Sequence, residues 1–299
     1  MHALSPFADM FGEDSDRANI LSRSMEIIAA EGAGVIVVVN RQRERFVAHA
    51  IDSALAQRQP GVINVEVIAV DDASTDGTLA LLDALAERNP GVVHAVRLAK
   101  NGGPAAARNE GLRRARGRLI CFLDSDDRYA PLTFFRCARV LAARPEAAAV
   151  IFGIDLVGCS RPIHPVQREA LLYSLPSNMV VRRDVAELIG GFPEDAAFRG
   201  PAAGEDIAFK RAVMDAFVVV VIADEGLRHF ARPGGHLDYF LDRTEVRDGE
   251  LAIKTRSREE ATGALTAATE RYRAAVARRI EAVEPGRPAG KAKIRPPAR

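Results

Sequence analysis

The 299-residue chain is 48% hydrophobic and 27% charged, enough to bury one large or two ordinary cores. Its net charge of +1 gives no general reason to expect nucleic acid as a partner. No apolar run approaches the length needed to cross a bilayer, and the N-terminus lacks a basic-then-apolar leader pattern. The expected location is the cytoplasm, with peripheral membrane contact left open. The three cysteines (Cys121, Cys137, Cys159) are widely spaced and odd in number, so they read as reduced thiols, buried or incidental.

In chain order, residues 1–33 carry mixed charge and no motif, and read as an N-terminal extension. The fold proper is expected from Gly34, with Val35–Val39 as a first buried strand whose β-branched content suits a sheet covered on both faces. A helix from about Glu44 to Gln57 places Phe46, Ala50, Ile51, Ala54 and Leu55 at helical spacing, and Pro60-Gly61 stops it. A second strand, Val65–Val70, runs into Asp71-Asp72-Ala73-Ser74-Thr75-Asp76-Gly77-Thr78. Capping the following helix needs one residue of that set, which leaves a surplus for function. A third strand, Val92–Leu98, leads to Asn101-Gly102-Gly103-Pro104 and an Ala-rich helix through Ala115.

The mostly apolar run Arg118–Leu123 reads as a central buried strand, and three carboxylates arrive where it ends, in Asp124-Ser125-Asp126-Asp127. Crowded carboxylates repel one another and need a compensating cation or hydrogen bonds. The bland reading, an Asp-rich turn that merely ends a strand, weighs about equally on this stretch alone. A helix from Pro131 to Ala143 and a strand from Ala148 to Leu156 follow. This β-α-β-α alternation predicts a mostly parallel sheet with helices on both faces. All three polar clusters follow strands, so they can converge on one sheet edge, where ligands of such sheets bind.

From Pro162 the periodicity weakens. Ser177–Arg183 reads as a short strand, followed by a helical turn and Gly190-Gly191-Phe192-Pro193. Gly204-Glu205-Asp206 opens a helix through Ala216, where the helix dipole alone would favour two carboxylates. A last strand, Phe217–Ile222, precedes the polar run Arg228–His236. Residues from about Glu259 to Val283 read as an amphipathic helix with Leu265, Tyr272, Val276, Ile280 and Val283 on one face. Docking on the main domain is the commonest fate of such a stripe. Its arginines keep membrane contact or a dimer open as alternatives. The basic, Pro-rich tail 285–299 is expected to be disordered.

Taken together, Val65–Thr78, Asn101–Gly111, Phe122–Asp127, Gly190-Gly191-Phe192 and Gly204-Glu205-Asp206 resemble, in order and spacing, the family-2 glycosyltransferases of the GT-A fold. The resemblance covers roughly Gly34 to Gly235, within an expected domain of residues 34–240. It implies an α/β domain with a mostly parallel mixed sheet flanked by helices, a nucleotide-binding half (34–130) and an acceptor half (131–240). A helical extension (241–284) would follow. It further implies a UDP-, GDP- or dTDP-sugar donor, Mn²⁺ or Mg²⁺, and inverting transfer to a saccharide, lipid-linked, peptide or small-molecule acceptor. By the same resemblance Asp72 contacts the nucleobase, and Asp124 contacts the ribose and reaches the metal. Asp126 holds the metal against the donor diphosphate, and Asp127 is structural or supports the metal-holding residues from behind. Asn101, Arg108 and Asn109 flank the nucleotide, while Asp206 is the general base with Glu205 beside it.

The chemistry suits these residue types, because a hard cation on carboxylate oxygens neutralises a departing diphosphate. A carboxylate in reach can take the proton of an acceptor hydroxyl. Two departures stand out. Where the family has Pro-x-Tyr-Asn at the end of the first strand, this chain has Val39-Asn40-Arg41-Gln42. Arg41 replaces the tyrosine that lies against the base, and its planar guanidinium can stack there. Arg232 precedes Pro233-Gly234 where the family often has a metal-binding His, and an Arg fork can pair with diphosphate directly. His229 and His236 are nearby candidates for holding metal or diphosphate, outweighed about two to one by the reading that each is an ordinary polar residue. Arg41 and the altered end of the first strand motivate a second reading, a non-catalytic module binding carbohydrate or a partner protein. A dehydrogenase is disfavoured, since no Gly-x-Gly-x-x-Gly follows the first strand.

Overall fold

The computed structural model describes residues 33–39, 44–199, 204–254 and 263–284. Asn40, Arg41, nearly all of the expected N-terminal extension and the 285–299 tail lie outside these residues. Strands β1 (Ala33–Val39), β2 (Val65–Asp71), β3 (Val93–Arg97) and β4 (Leu119–Asp124) run parallel in the order β3-β2-β1-β4. The near-continuous apolar character of β2 and β4 follows from burial on both faces. Register decides where the acidic clusters fall. Val39 lies opposite Asp71, and Val38 lies opposite both Val70 and Asp124. The C-terminal ends of β2 and β4 therefore stand nearly level on one edge, as the strand-then-acid pattern implied.

Side chains alternate across the sheet with period two. Cys121 and Leu123 face the layer that contains Val47, Ile51 and Ala54 of α1 (Glu44–Leu55), Leu82 of α2 (Thr78–Arg88), and Phe134 and Leu141 of α4 (Thr133–Ala143). Ile120 and Phe122 face the layer of Ala105 and Leu112 of α3 (Gly103–Arg114), Ala186 of α6 (Arg183–Leu188), and Phe209 and Val213 of α7 (Glu205–Ala216). The sheet is thus sandwiched between helices. Cys121 and Cys137 are free and buried, and burial pushes both thiols up, which keeps them unreactive.

Beyond β4 the sheet becomes mixed. Strand β7 (Met179–Arg182) runs antiparallel to β4 and to β6 (Ala147–Val157), and β8 (Val218–Phe230) runs parallel to β6. The two-residue β5 (Arg128–Tyr129) closes the far edge against β8. Strand β8 departs from expectation by continuing past Ile222 to Phe230. Its pairing with β6 resumes after irregularities around Ile151, Gly153 and Ile154. Two helices were not anticipated, α5 (Pro165–Ser174) and α8 (His236–Arg243). The expected helical extension 241–284 also contains an antiparallel hairpin of β9 (Thr244–Arg247) and β10 (Glu250–Ile253). Its Asp248-Gly249 turn has both residues at positive φ, +52° and +80°.

The last helix, α9 (Gly263–Val283), docks on the domain through buried Ala268 and Val276, with Leu265, Tyr272 and Ile280 packed beside them. Val283 departs from the expected stripe and is 65% exposed. Polar contacts fix the docking. Tyr272 Oη donates to the Gly191 carbonyl at 2.6 Å, and Arg279 Nη1 donates to Ile189 at 2.8 Å. Among the described residues no helix is long and apolar enough to cross a membrane.

Candidate active site

The acidic end of β4 and the start of α7 are joined by one buried side chain, Arg108. It sits one and a half turns into α3, and its guanidinium is oriented by the ring of Phe192, 5.1 Å from the centroid. Phe192 in turn stacks on Phe209 at 4.1 Å, and Phe122 of β4 meets both edge-on at 4.8 and 5.6 Å. On this aromatic floor Arg108 Nη1 donates to Glu205 Oε1 at 2.9 Å and Nη2 donates to Asp124 Oδ1 at 2.9 Å. Burial works against the Arg108 charge, but the carboxylates of Asp124, Glu205 and Asp206 outweigh it and raise the pKa above the usual arginine value. Arg108, expected to flank the nucleotide, is committed to holding the site together.

The Gly190-Gly191-Phe192 turn owes its shape to Asn109. Asn109 Oδ1 accepts from Phe192 N at 2.8 Å, and Nδ2 donates to Phe192 O at 2.9 Å and Glu194 Oε1 at 2.7 Å. Gly191 has φ of +70°, and a Cβ there would collide with Asn109 Oδ1, so glycine is required twice over. Asn109 is therefore engaged in shaping this turn, although the family resemblance placed it beside the nucleotide.

The Asp124–Asp127 turn sends its carboxylates in different directions. Asp127 N donates to Asp124 O at 3.0 Å, which closes the turn. Asp127 points inward, 1% exposed, and meets His229 Nδ1 at 2.9 and 3.1 Å. Burial lowers the His229 pKa, but the hydrogen bond and charge of Asp127 outweigh it and raise the imidazole. Burial raises Asp127 itself, and its carboxylate is engaged by His229 beneath the edge. Asp124 is 32% and Asp126 15% exposed, and both remain at the edge. Asp126 forms an ion pair with Arg232, whose guanidinium also lies 5.1 Å from the centroid of the Phe46 ring.

Asp72 is fully buried at the end of β2. Its carboxylate accepts from Asn101 Nδ2 at 2.6 Å, Gly102 N at 2.6 Å and Gly103 N at 3.0 Å. The positive end of α3 thus meets an anion supplied by the protein. Two clusters expected to converge, Asp71-Asp72 and Asn101-Gly102-Gly103, do so directly. Asp72 and Asn101 shape the loop at this edge.

At the start of α7, Glu205 and Asp206 diverge. Glu205 is buried against Arg108, and burial together with the Asp206 charge pushes its carboxyl up despite the guanidinium. Asp206 is only half-buried, and its Oδ1 accepts from Ile207 N at 2.7 Å. Glu205, grouped with the base on sequence grounds, is fully engaged by Arg108, whereas Asp206 is the carboxylate turned to the outside.

Among the described residues no group of three or more His, Cys, Asp or Glu side chains is arranged to hold a metal. The donor set nevertheless fits a hard cation. Asp126 is a partly exposed carboxylate already paired with a positive charge, and the remaining ligands of such an ion can come from phosphate oxygens.

The topology, with the acidic turns gathered on this edge, is that of a GT-A-type α/β domain. Residues 35–192 match the family model described as Glycosyl transferase family 2, and the chain belongs to that family. It is 40% identical over 109 residues to the succinoglycan biosynthesis protein ExoO of Rhizobium meliloti (strain 1021), covering 36% of this chain and 28% of that protein. It is 43% identical over 84 residues to the putative teichuronic acid biosynthesis glycosyltransferase TuaG of Bacillus subtilis (strain 168), covering 28% and 32%. The matched segments thus span about a third or less of these relatives' length. Among solved structures, the fold is similar to S. aureus TarS 1–349 in complex with UDP-GlcNAc. The TM-score is 0.56 at 20% identity, over 84% of this chain and 73% of that one. It is also similar to the mannosyltransferase PcManGT from Pyrobaculum calidifontis in complex with GDP-Man and Mn²⁺. There the TM-score is 0.53 at 18% identity, over 92% and 87%.

Proposed function

We propose that this chain transfers a sugar from a nucleoside-diphosphate sugar to an acceptor hydroxyl, with inversion at the anomeric carbon. The observation that carries the reading is the Arg108 bridge. It holds the Asp124 edge within one guanidinium of the helix start that presents Asp206. Family membership and the likeness to folds solved in complex with UDP-GlcNAc and with GDP-Man and Mn²⁺ support it.

In this reading the donor lies along the C-terminal edge of β2 and β4. The loop built by Asp72 and Asn101 receives the nucleoside, with Asn40 and Arg41 assigned to the base side by the family pattern. Asp124 faces the ribose, and Asp126, with Asp124, holds Mn²⁺ or Mg²⁺. The bound cation supplies charge neutralisation for the departing diphosphate. Asp206 takes the acceptor proton as the hydroxyl oxygen attacks the anomeric carbon. The new carbon–oxygen bond forms on the face opposite the breaking one, and the diphosphate oxygen keeps the electron pair. Arg232 pairs with phosphate oxygens. Glu205 acts through Arg108 by fixing the helix start, so it is a positioning residue.

The Arg232–Asp126 ion pair is the observation that favours a second reading, a GT-A module that binds carbohydrate or a protein without turnover. One experiment separates the two. Full chain is screened by thermal shift against UDP-, GDP- and dTDP-sugars with and without Mn²⁺, and nucleoside diphosphate release is followed for the donors that bind. Metal-dependent stabilisation by one nucleotide class, with release lost in Asp206→Asn, is expected. No donor binding or hydrolysis, with Asp126→Ala indistinguishable from wild type, would refute the enzymatic reading.

A further inference from the structure

We infer that Arg232 is the resident counter-cation of Asp126, so that a divalent cation binds this carboxylate tightly only together with a diphosphate that draws the guanidinium away. The inference rests on the donor-site reading above and concerns how that site loads.

Arg232 is held at both ends. Its guanidinium pairs with Asp126 and lies over Phe46 of α1. Its backbone belongs to an ordered loop. Ala231 N donates to Val157 O, Gly235 N to Arg232 O, and Gly234 N to Asp238 Oδ2, each at 2.9 Å. The arginine is therefore delivered to Asp126 by the fold. A carboxylate this poorly exposed needs a cation, and Arg232 satisfies it. A metal ion arriving alone must displace a positive charge already seated, which weakens its apparent affinity.

A diphosphate changes that balance. The guanidinium fork matches two phosphate oxygens, so Arg232 can leave Asp126 without losing an anionic partner. The carboxylate released in that exchange is then available to the cation. Metal and nucleotide become positively coupled, and by linkage each tightens the other by the same factor. The site would bind free divalent ions weakly and load tightly with a diphosphate in place.

The test follows free Mn²⁺ by electron paramagnetic resonance during titration of the full chain, with and without UDP or GDP. Wild type is expected to take up Mn²⁺ weakly alone and at least about tenfold more tightly with its nucleotide, within the usual range of coupled binding. Arg232→Gln should bind Mn²⁺ alone at least about tenfold more tightly than wild type, with diminished coupling. Phe46→Ala, which removes the other seat of the guanidinium, should shift Mn²⁺ affinity in the same direction by a smaller factor. Adding Asp126→Asn to Arg232→Gln should abolish the gain, and circular dichroism checks that each variant is folded. Equal Mn²⁺ affinity in wild type and Arg232→Gln without nucleotide overturns the proposal. Nucleotide binding with no Mn²⁺ uptake by either protein also overturns it, while the donor site stands. No nucleotide binding by either protein brings down both.

Discussion

Arg108 and Glu205 lie 97 residues apart in the chain, yet Nη1 of one donates to Oε1 of the other at 2.9 Å in a buried setting. Since Nη2 also reaches Asp124, the spacing between the sheet edge and the first turn of α7 is fixed by a single planar group. Removing one member of such a buried set leaves an uncompensated charge, which costs far more than removing the set whole. Arg108→Met should therefore destabilise the protein by about 3–5 kcal/mol, with the double variant Arg108→Met/Glu205→Leu closer to wild type. Urea unfolding at neutral pH measures both. A single variant no less stable than the double would mean that the ion pair is not coupled.

Glu205 and Asp206 are adjacent but should respond differently. Asp206 is half-exposed and bonded only locally, so Asp206→Asn is expected to leave the urea midpoint and donor affinity near wild type. The same change should lower kcat by roughly 100- to 10,000-fold, the usual contribution of a positioned base. Glu205→Gln should instead lower stability first, because it replaces the charged partner of a buried arginine with a neutral one. Steady-state kinetics beside unfolding curves separate the two effects. Equal losses of kcat with no stability difference would contradict this division of roles.

The N-terminal half of the fold was legible because β1, β2 and β4 are mostly apolar runs, and level register gathers on one edge the acids into which β2 and β4 lead. The rest was hidden by local composition. In β8, Asp224-Glu225-Gly226 interrupts the apolar pattern, yet the strand continues, with Gly226 set so close to Phe152 and Thr133 that no Cβ fits. Helix α5 is opened by His164, which accepts from Val166 N while Gln167 Oε1 accepts from His164 N, an arrangement usually announced by Ser or Thr. The Asp248-Gly249 turn, by contrast, carried a recognisable hairpin signal. No spacing rule could reveal that Arg108 would be shared by Asp124 and Glu205, or that Asn109 would shape the Phe192 turn. Those pairings arise only when distant elements meet.

Helix α9 reaches the site from behind through that same turn. Tyr272 Oη holds Gly191 O at 2.6 Å, Gly191 precedes Phe192, and Phe192 carries Arg108. Tyr272→Phe removes one hydrogen bond and leaves a partly buried carbonyl, which should cost about 1 kcal/mol. The cost should appear in amide exchange of the 189–192 turn as well as in global melting. Unchanged protection there would show that the helix is merely appended and does not brace the site.

Lys210 offers a test by pH. Its ammonium is fully buried on α7 and donates to Leu172 O at 2.8 Å, Leu175 O at 2.7 Å and Asn178 Oδ1, tying α7 to the turn after α5. Burial pushes its pKa well below the usual lysine value, opposed by the charge of Asp206 one turn earlier. A base whose pKa is lowered on folding contributes stability in full above its unfolded value near 10.5. That stability is lost as pH falls through the folded value. Wild type should therefore gain stability relative to Lys210→Met as pH rises from 7 towards 10, because the variant has nothing to titrate there. The three acceptors work the other way. A neutral amine has only two hydrogens to give, so one acceptor loses its donor on deprotonation, and Lys210→Met orphans all three. The variant should accordingly be less stable than wild type at every pH, by a gap that widens with pH. Denaturant midpoints of the two proteins across that range measure the gap, and a constant gap would show that the three acceptors hold the ammonium at its ordinary pKa despite burial.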